Sequence, residues 1–410
     1  MDLSIFREKS FIALMIITFF LGYVFAVNSA ASVYLAEDFE LNAAALAKMF
    51  GWFSVGSIGT LLLTRAVDTM GRRKLLIISL VITMLLALLS VLTSNLPTFI
   101  ILQTVLFLFA GVVEAASVVM ITECMPTKKR AQAHAAAVVM VLLGAGAALI
   151  CITVLSEMSV SDVWRWAWAF SIVIPLITLR FIIRSLTETE SFTSDTEQRK
   201  NSHWLELFQG EYQSRTLAVL LAHWLSIVAM IAAMTYPFYY LAEVHQMDQL
   251  YVTAIIIGGG LFGLVGPLLG SRISDQFGRR ISFMVFSILV MLAGLFFYSI
   301  TENGLSTVLA LFLAYAALSA FEGAMIVTVR SITTELFPTR FRATVQGLLA
   351  VVAATAAAFS HFSAAYLIEY VGSLAIAVSL LCLLRVPAAF IYLFVPETKG
   401  MELSEAALES

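Results

Sequence analysis

The sequence predicts an all-α polytopic membrane protein with twelve transmembrane helices in two pseudo-symmetric six-helix bundles. Apolar residues make up 60% of the 410 positions, whereas charged residues make up only 12%. Apolar runs of about 20 residues recur along the chain, and each is long enough to cross a bilayer core of roughly 30 Å. Short motifs that combine acidic, glycine and basic residues occur twice, which indicates an internal duplication of the kind found in transporters.

Each long apolar run is interpreted as a helix, because backbone polar groups in lipid must be satisfied within the segment itself. The predicted spans cover residues 11–36, 44–64, 74–94, 98–122, 131–156, 164–186, 216–243, 251–271, 281–300, 306–332, 342–368 and 373–395. One long polar segment separates the first six spans from the last six. The predicted organisation is therefore a bundle at 1–186, a linker at 187–214 with a short surface helix near its end, and a bundle with a short tail at 215–410.

Lys and Arg are concentrated in alternate loops, which predicts the orientation of the chain. With the N-terminus inside, the outer loops contain only Lys48 and Arg165 as cations. Both termini are therefore expected in the cytoplasm. Short outer loops and the lack of any Asn-x-Ser/Thr sequence favour a bacterial inner membrane. Tryptophans at the start of the sixth span are expected at the outer membrane interface: Trp164, Trp166 and Trp168.

The composition argues against several classes of function. No basic patch lies outside the short loops, so we expect no nucleic-acid partner. The three cysteines, Cys124, Cys151 and Cys382, form neither a disulfide framework nor a metal-ligand spacing. No pairing of nucleophile and base is visible either. We therefore expect no enzyme activity, no metal and no cofactor.

Three motifs recur between the halves. Asp68-x-x-Gly71-Arg72-Arg73 matches Asp275-x-x-Gly278-Arg279-Arg280 at an offset of 207 residues. Glu123, Pro126 and Arg130 match Glu335, Pro338 and Arg342 at an offset of 212 residues. The run from Thr187 to Glu190 echoes the run from Pro396 to Lys399 at an offset of 209 residues.

A carboxylate at a helix end, a glycine that permits a tight turn and two arginines form a compact charge cluster. Such a cluster can bridge helix ends in one conformation and separate in another, so we interpret it as a gate. The alternative is that the arginines only fix the topology. The gating candidates are Asp68, Gly71, Arg72, Arg73, Glu123, Arg130, Asp275, Gly278, Arg279, Arg280, Glu335 and Arg342.

With these motifs, the chain resembles the major facilitator superfamily over nearly its whole length. The run ELFPTRFR from Glu335 and the run PETKG from Pro396 resemble the branch that holds metabolite–proton symporters, organic-ion transporters and sugar porters. Gly111-Val-Val-Glu114 is similar to the Glu-containing fourth helix of the metabolite–proton symporters. The resemblance implies alternating access around one central site, lined by spans one, four, seven and ten.

Charged residues inside the spans are functional candidates, because a charge at mid-bilayer costs at least about 2.5–3.5 kcal/mol. Glu114 lies about 13 Å along its helix from Glu123, near the midplane, and is the first choice for proton coupling, with a structural hydrogen bond to a neighbouring helix as the alternative. Glu322 is a candidate for a proton or substrate role, with helix packing as the alternative. Arg330 cannot lose its proton, so it must bind an anion or be paired within the protein. Arg385 has no partner visible in the sequence, and a structural role is expected for it.

Neutral polar side chains in the spans complete the candidate site. The candidates for substrate binding beside Arg330 are Asn28, Gln103, His223, Tyr236, Tyr239, Tyr240, Gln346 and His361. Core packing is the alternative for the histidines, and an interfacial belt is the alternative for the tyrosines. Pro237 is expected to break the seventh span. The glycines from Gly258 to Gly266 are interpreted as close helix packing.

The predicted function is secondary active transport of a small organic ion or zwitterion by alternating access, with protons as the coupling ion and uptake as the direction. Both signs of charge and few amides argue against a sugar. The expected partners are a small-molecule substrate, protons and the lipid bilayer, and the expected state is a monomer. One alternative is a proton-driven exporter of organic cations or drugs. Another is a non-transporting sensor, although the short tails and linker leave no room for an output domain.

Overall fold

A computed structural model describes residues 8–125, 130–187, 204–301 and 304–399. The predictions for the N-terminal residues, for most of the linker and for the C-terminal tail concern residues outside these ranges. Helices form nearly all of the described chain. Eleven of them are long and apolar enough to cross a membrane, counted over the described residues alone.

The structure forms two compact units, one of Met1–Asn42 and Trp52–Lys200 and the other of Ala43–Gly51 and Asn201–Ser410. The predicted domain boundaries at 186 and 214 remain predictions. The first six spans begin with α1, which is followed by a short helix, α2. The helices of this part are α1 (Lys9–Ala30), α2 (Ser32–Asp38), α3 (Ala43–Met70), α4 (Arg72–Leu92), α5 (Leu96–Cys124), α6 (Arg130–Glu157) and α7 (Val163–Ser185).

Spans seven to twelve contain more interruptions than the first six. A 3-10 helix, Trp204–Phe208, precedes them where the sequence predicted a short surface helix; its Leu207 is fully buried in the core of the second unit. The main helices are α8 (Gly210–Thr235), α9 (Pro237–Tyr239), α10 (Gln249–Gly260), α11 (Gly266–Phe277), α12 (Arg279–Ser299), α13 (Leu305–Glu335), α14 (Thr339–Val371), α15 (Leu374–Cys382) and α16 (Arg385–Ile391).

Proline explains the break in span seven, as the sequence predicted. Pro237 has no N–H, so the carbonyl of Ala233, four residues earlier, loses its helical donor. The Tyr298 hydroxyl of α12 donates to that carbonyl at 3.0 Å. Beyond Pro237 the chain passes through α9 into a π-helix at Tyr240–Val244. The break is thus built into the packing of the second unit.

Span twelve is also broken, which the sequence analysis did not predict. Pro387 removes the donor for the carbonyl of Leu383, and the chain turns between α15 and α16. The N–H of Val386 reaches the Leu383 carbonyl instead, at 3.0 Å. This turn places Arg385 at the first position of α16.

Glycines allow several pairs of helices to cross closely, which agrees with the packing interpretation for Gly266 but not for Gly260. A Cβ on Gly56 of α3 would overlap the carbonyl of Thr104 on α5. A Cβ on Gly266 of α11 would likewise overlap the carbonyl of Ala320 on α13. Because Gly56 and Gly266 are 210 residues apart, this crossing is itself part of the internal repeat.

The three tryptophans of span six do not form the predicted interfacial belt together. Trp166 is 51% exposed, but Trp164 and Trp168 are at most 1% exposed. The Trp164 indole N–H donates to Asp38 Oδ2 at 3.1 Å, and its ring packs edge-on against Phe99. The prediction was therefore wrong for Trp164 and Trp168: their helical spacing turns both rings inward, and Asp38 and the buried Asn28 accept their indole N–H groups.

Candidate functional site

Two of the charged side chains within the spans pair with each other. Arg385 of α16 donates from Nη2 to Glu322 Oε1 of α13. Arg385 is 1% exposed and Glu322 is 6% exposed. Arg385 Nη1 also donates to Met325 Sδ at 2.8 Å. The partner of Arg385 that the sequence did not reveal is thus Glu322, 63 residues away.

Glu114 and Arg330 differ from this pair in both pairing and burial. Each side chain is exposed, Glu114 on α5 and Arg330 on α13. Neither side chain has a hydrogen bond or an ion pair to any residue that the structure describes. The Arg330 carbonyl accepts bonds from Thr333 and Thr334, but this engages only the backbone. One acid and one base in the spans therefore have no side-chain partner in the described part of the chain.

Asn28 and Gln103 belong to a buried network in the first unit. The Trp168 indole N–H donates to Asn28 Oδ1 at 3.2 Å, and Asn28 Nδ2 donates to Gln103 Oε1 at 3.0 Å. Gln103 Nε2 then donates to Ser90 Oγ at 3.1 Å. All four side chains are buried. The network joins α1, α4, α5 and α7, so packing accounts for both amides.

The aromatic candidates near the break in span seven separate into two environments. The Tyr236 hydroxyl shares a hydrogen bond of 2.8 Å with His361 Nδ1, and both residues are buried. Tyr240 is fully buried, and its hydroxyl donates to the carbonyls of Ile300 and Tyr298. Tyr239 is half-buried. Of the three tyrosines, only Tyr239 keeps a partly accessible ring.

Two further candidates are accessible to solvent. His223 of α8 is half-buried and lies within electrostatic range of Arg385. Gln346 of α14 is exposed, and its Nε2 donates to Thr333 Oγ1 at 3.2 Å. Because Thr333 lies three residues from Arg330 on α13, Gln346 is close to that arginine.

The repeated motif of the second half forms one connected cluster. Arg279 binds both carboxylate oxygens of Glu335 at 3.2–3.3 Å and Asp275 Oδ1 at 3.0 Å. Glu397 accepts the backbone N–H groups of Arg279 and Arg280, so its carboxylate caps the N-terminus of α12. The Thr398 hydroxyl donates to Glu335. The PETKG run thus completes the cluster.

Gly278 shows why this motif requires glycine. Its φ is +97°, which disfavours other residues, and an added Cβ would lie 2.6 Å from Glu397 Oε2. The matching Gly71 has φ +90°. The same turn is therefore built at both copies of the motif.

The first copy of the motif is simpler within the described residues. Arg72, which is 2% exposed, donates from Nη2 to Glu123 Oε1 at 3.0 Å. Arg73 donates to the carbonyls of Ile183 and Leu186 at the end of α7. The gating candidates whose side chains lie outside the description are Asp68, Arg130 and Arg342.

Several residues of these clusters were not singled out from the sequence. Ser90 is one of many serines in apolar spans, and nothing local marks it as the end of a network. Glu397 and Thr398 carried a signal, because the PETKG run echoes a run at the end of span six. Their contacts to α12 and Glu335 were not readable, since they join segments 63 and 118 residues apart.

Two similar sets of six spans, with matching Gly-Arg-Arg turns, define an integral membrane transporter of the duplicated twelve-helix class. The chain belongs to the Major Facilitator Superfamily, whose family model matches residues 14–360 and 227–408. Members of this family are transporters and not enzymes, and they bind small-molecule substrates. No match to the sequence was found among curated proteins.

Solved structures share the fold at low sequence identity. The xylose transporter XylE from E. coli, in a partially occluded inward-open conformation, aligns with TM-score 0.74 and 18% identity over 97% of this chain and 99% of that one. A bacterial homolog of the human lysosomal transporter Spinster aligns with TM-score 0.69 and 14% identity over 98% and 96%. Identities this low establish the fold alone.

Proposed function

We propose that this transporter takes up a small organic ion or zwitterion, such as an amino acid or a carboxylate metabolite, and couples its movement to protons. One observation supports the proposal most directly. Glu322 and Arg385 neutralise each other, whereas Glu114 and Arg330 are exposed and have no partner among the described residues. Since charges in membrane spans are costly, two unsatisfied ones of opposite sign favour a ligand that supplies counter-charges.

Glu114 is the proposed proton carrier. A carboxylate in a membrane span can be neutralised by a proton or by a cation, and it can release either when its surroundings change. The side chain is exposed and has no described hydrogen-bond partner, which supports this role because a coupling group must release its proton during the cycle. Glu114 is therefore expected to alternate between its neutral and charged forms.

Arg330 is the proposed anchor for an anionic group of the substrate. Its guanidinium keeps its charge and offers a planar fork that matches a carboxylate. We retain Gln346, His223 and Tyr239 as secondary binding candidates, because each is at least partly exposed. We leave Asn28, Gln103 and Tyr240 out of the proposed site, since their hydrogen bonds within one unit account for them. The paired Tyr236 and His361 are left out for the same reason.

The proposed setting is a bacterial inner membrane, with both termini in the cytoplasm and a monomer as the working unit. The positive-inside distribution of Lys and Arg supports the orientation. Another solved structure with the same fold, at TM-score 0.73 and 18% identity, is described as a D-xylose–proton symporter. That description supports proton coupling as a working hypothesis, and the charges in the spans support an ionic substrate over a sugar.

Uptake into proteoliposomes tests the proposal. The purified chain is reconstituted and supplied with labelled amino acids, carboxylates, organic cations and xylose, each with and without an imposed pH gradient. We expect accumulation of a zwitterion or carboxylate that depends on an acidic exterior. Accumulation of organic cations into vesicles with an acidic interior would instead identify an exporter, and xylose uptake would contradict the ionic substrate.

A further inference from the structure

We propose that Arg385 holds Glu322 as a permanent carboxylate ion, so that Glu322 takes no proton during transport and, of these two carboxylates, only Glu114 carries the proton. This inference rests on the proposed function and deepens it. It also removes Glu322 from the predicted proton-coupling residues.

The pair is enclosed on every side that the structure describes. Glu322 lies in the middle of α13, and Arg385 begins α16 at the break caused by Pro387. At 6% and 1% exposure, neither charge can be solvated by bulk water. Each charge therefore depends on the other for compensation.

Few other ionisable groups reach this pair. On α8, His223 interacts with Arg385, but a histidine carries no negative charge and cannot take over the role of Glu322. His361, on α14, is bonded to Tyr236. The remaining described charges and phenols on the helices around α13 and α16 lie nearer the ends of their spans: Tyr212, Arg215, Tyr251, Arg272, Asp275, Arg279, Arg280, Tyr298, Tyr366, Glu369 and Tyr370.

The two members of the pair differ in how they respond to losing the other. A buried carboxylate without its counter-charge can take up a proton and become neutral. A guanidinium cannot release its proton in a protein, so it would remain an uncompensated buried charge. Protonation of Glu322 during the cycle would create that same situation at Arg385. The intact pair therefore opposes proton uptake at Glu322.

Three variants test the inference: E322Q, R385M and the double variant E322M/R385M, in which two apolar side chains of similar length replace the pair. Their melting temperatures are measured in detergent between about pH 5 and pH 8. We expect the largest loss for E322Q, a smaller loss for R385M and a near-native value for the double variant.

The stability of R385M should also depend on pH in a characteristic way. Glu322 is then buried alone as the neutral acid, so the folded state holds a proton that the unfolded state releases. The unfolded state binds fewer protons, and stability therefore falls as pH rises. E322M/R385M lacks the titrating group and should not show this slope. Equal losses for both single variants, without a pH slope in R385M, would overturn the proposal.

Transport by E322M/R385M tests whether the pair takes part in proton coupling. In proteoliposomes, its uptake should keep the pH profile and the proton-driven accumulation of the unmodified chain. Loss of proton-driven accumulation by this folded double variant would show that the pair takes part in coupling. If the unmodified chain itself shows no proton dependence, the proposed function fails instead, whereas the melting data still decide whether the pair is a fixed ion pair.

Discussion

Glu114 and Arg330 expose opposite charges on helices that are otherwise largely apolar. Nothing in their helices compensates them: the residues three and four positions from Arg330 are Ile326, Val327, Thr333 and Thr334. By contrast, the buried amides Asn28 and Gln103 are hydrogen-bonded to each other within their own unit. At the scale of single residues, exposure and the lack of a described partner therefore separate candidate ligand contacts from structural ones.

Glu114→Gln is expected to abolish proton-driven accumulation while leaving substrate counterflow largely intact. Glutamine mimics the protonated acid and cannot cycle between charge states. Both activities are measured on one proteoliposome preparation. Glu157→Gln, which changes an exposed carboxylate at the end of α6, serves as the control and should behave as the unmodified chain does. Accumulation against a gradient by E114Q would remove Glu114 from the coupling role.

Arg330→Lys is expected to weaken substrate binding by about 1.5–3 kcal/mol, the range for a hydrogen bond to a charged group. Lysine keeps the charge but loses the planar fork. Ligand affinity and melting temperature are measured on the same purified protein. Arg180→Lys, at an exposed arginine on α7, is the control. A structural Arg330 gives the reverse result, with a lower melting temperature and unchanged affinity.

Among the helices, the interruptions of spans seven and twelve each have a local cause, which is a proline. Pro237 and Pro387 each lack a backbone N–H. The carbonyl four residues earlier therefore loses its helical hydrogen bond, and the chain turns there. Close approach of helices is equally local in origin, because only a glycine permits a neighbouring carbonyl to lie against the backbone. Which neighbour approaches is a property of the packed unit.

Gly266→Ala is expected to destabilise the second unit by about 1–3 kcal/mol, because the added methyl would overlap the Ala320 carbonyl. Gly260→Ala is a matched control in the same span: no atom lies within 4 Å of its added Cβ. That change should leave stability unchanged or raise it slightly, since alanine is the better helix former. The melting temperatures of both variants in detergent decide the point, and equal losses would contradict it.

Across the whole molecule, the duplication is expressed in turns, crossings and charge clusters. Gly71 and Gly278 adopt the same positive-φ conformation at equivalent turns, and Gly56 and Gly266 lie at equivalent helix crossings. The two clusters can be compared only over the described residues. In the second half, Glu397 and Thr398 join the Arg279–Glu335 pair, whereas the corresponding residues of the first half lie outside the description. We retain gating by these clusters as a prediction.

The orientation is tested with single cysteines in a chain whose Cys124, Cys151 and Cys382 are replaced by alanine. Met158→Cys lies in the loop between α6 and α7, and Gln276→Cys lies beside the Gly278 turn; both positions are exposed. A membrane-impermeant maleimide should label the former in intact cells and the latter only after permeabilisation. The opposite pattern would contradict the positive-inside prediction.

The sequence alone determined the number of spans, their helical nature and the family. Hydropathy and the helix requirement act within one segment of about 20 residues, so no distant contact is needed to read them. The recurring motifs were also readable, because a duplication leaves its trace at a nearly constant offset. Even the break at Pro237 follows from one residue type.

Only the tertiary structure decided which polar groups are free. The Glu322–Arg385 pair and the Asn28–Gln103 bond join residues 63 and 75 positions apart. Trp164 and Trp168 are buried although their sequence context is that of a membrane interface. The physical reason is that the sequence of a helix does not show which of its faces is covered. Burial and pairing depend on which neighbouring helix packs against that face.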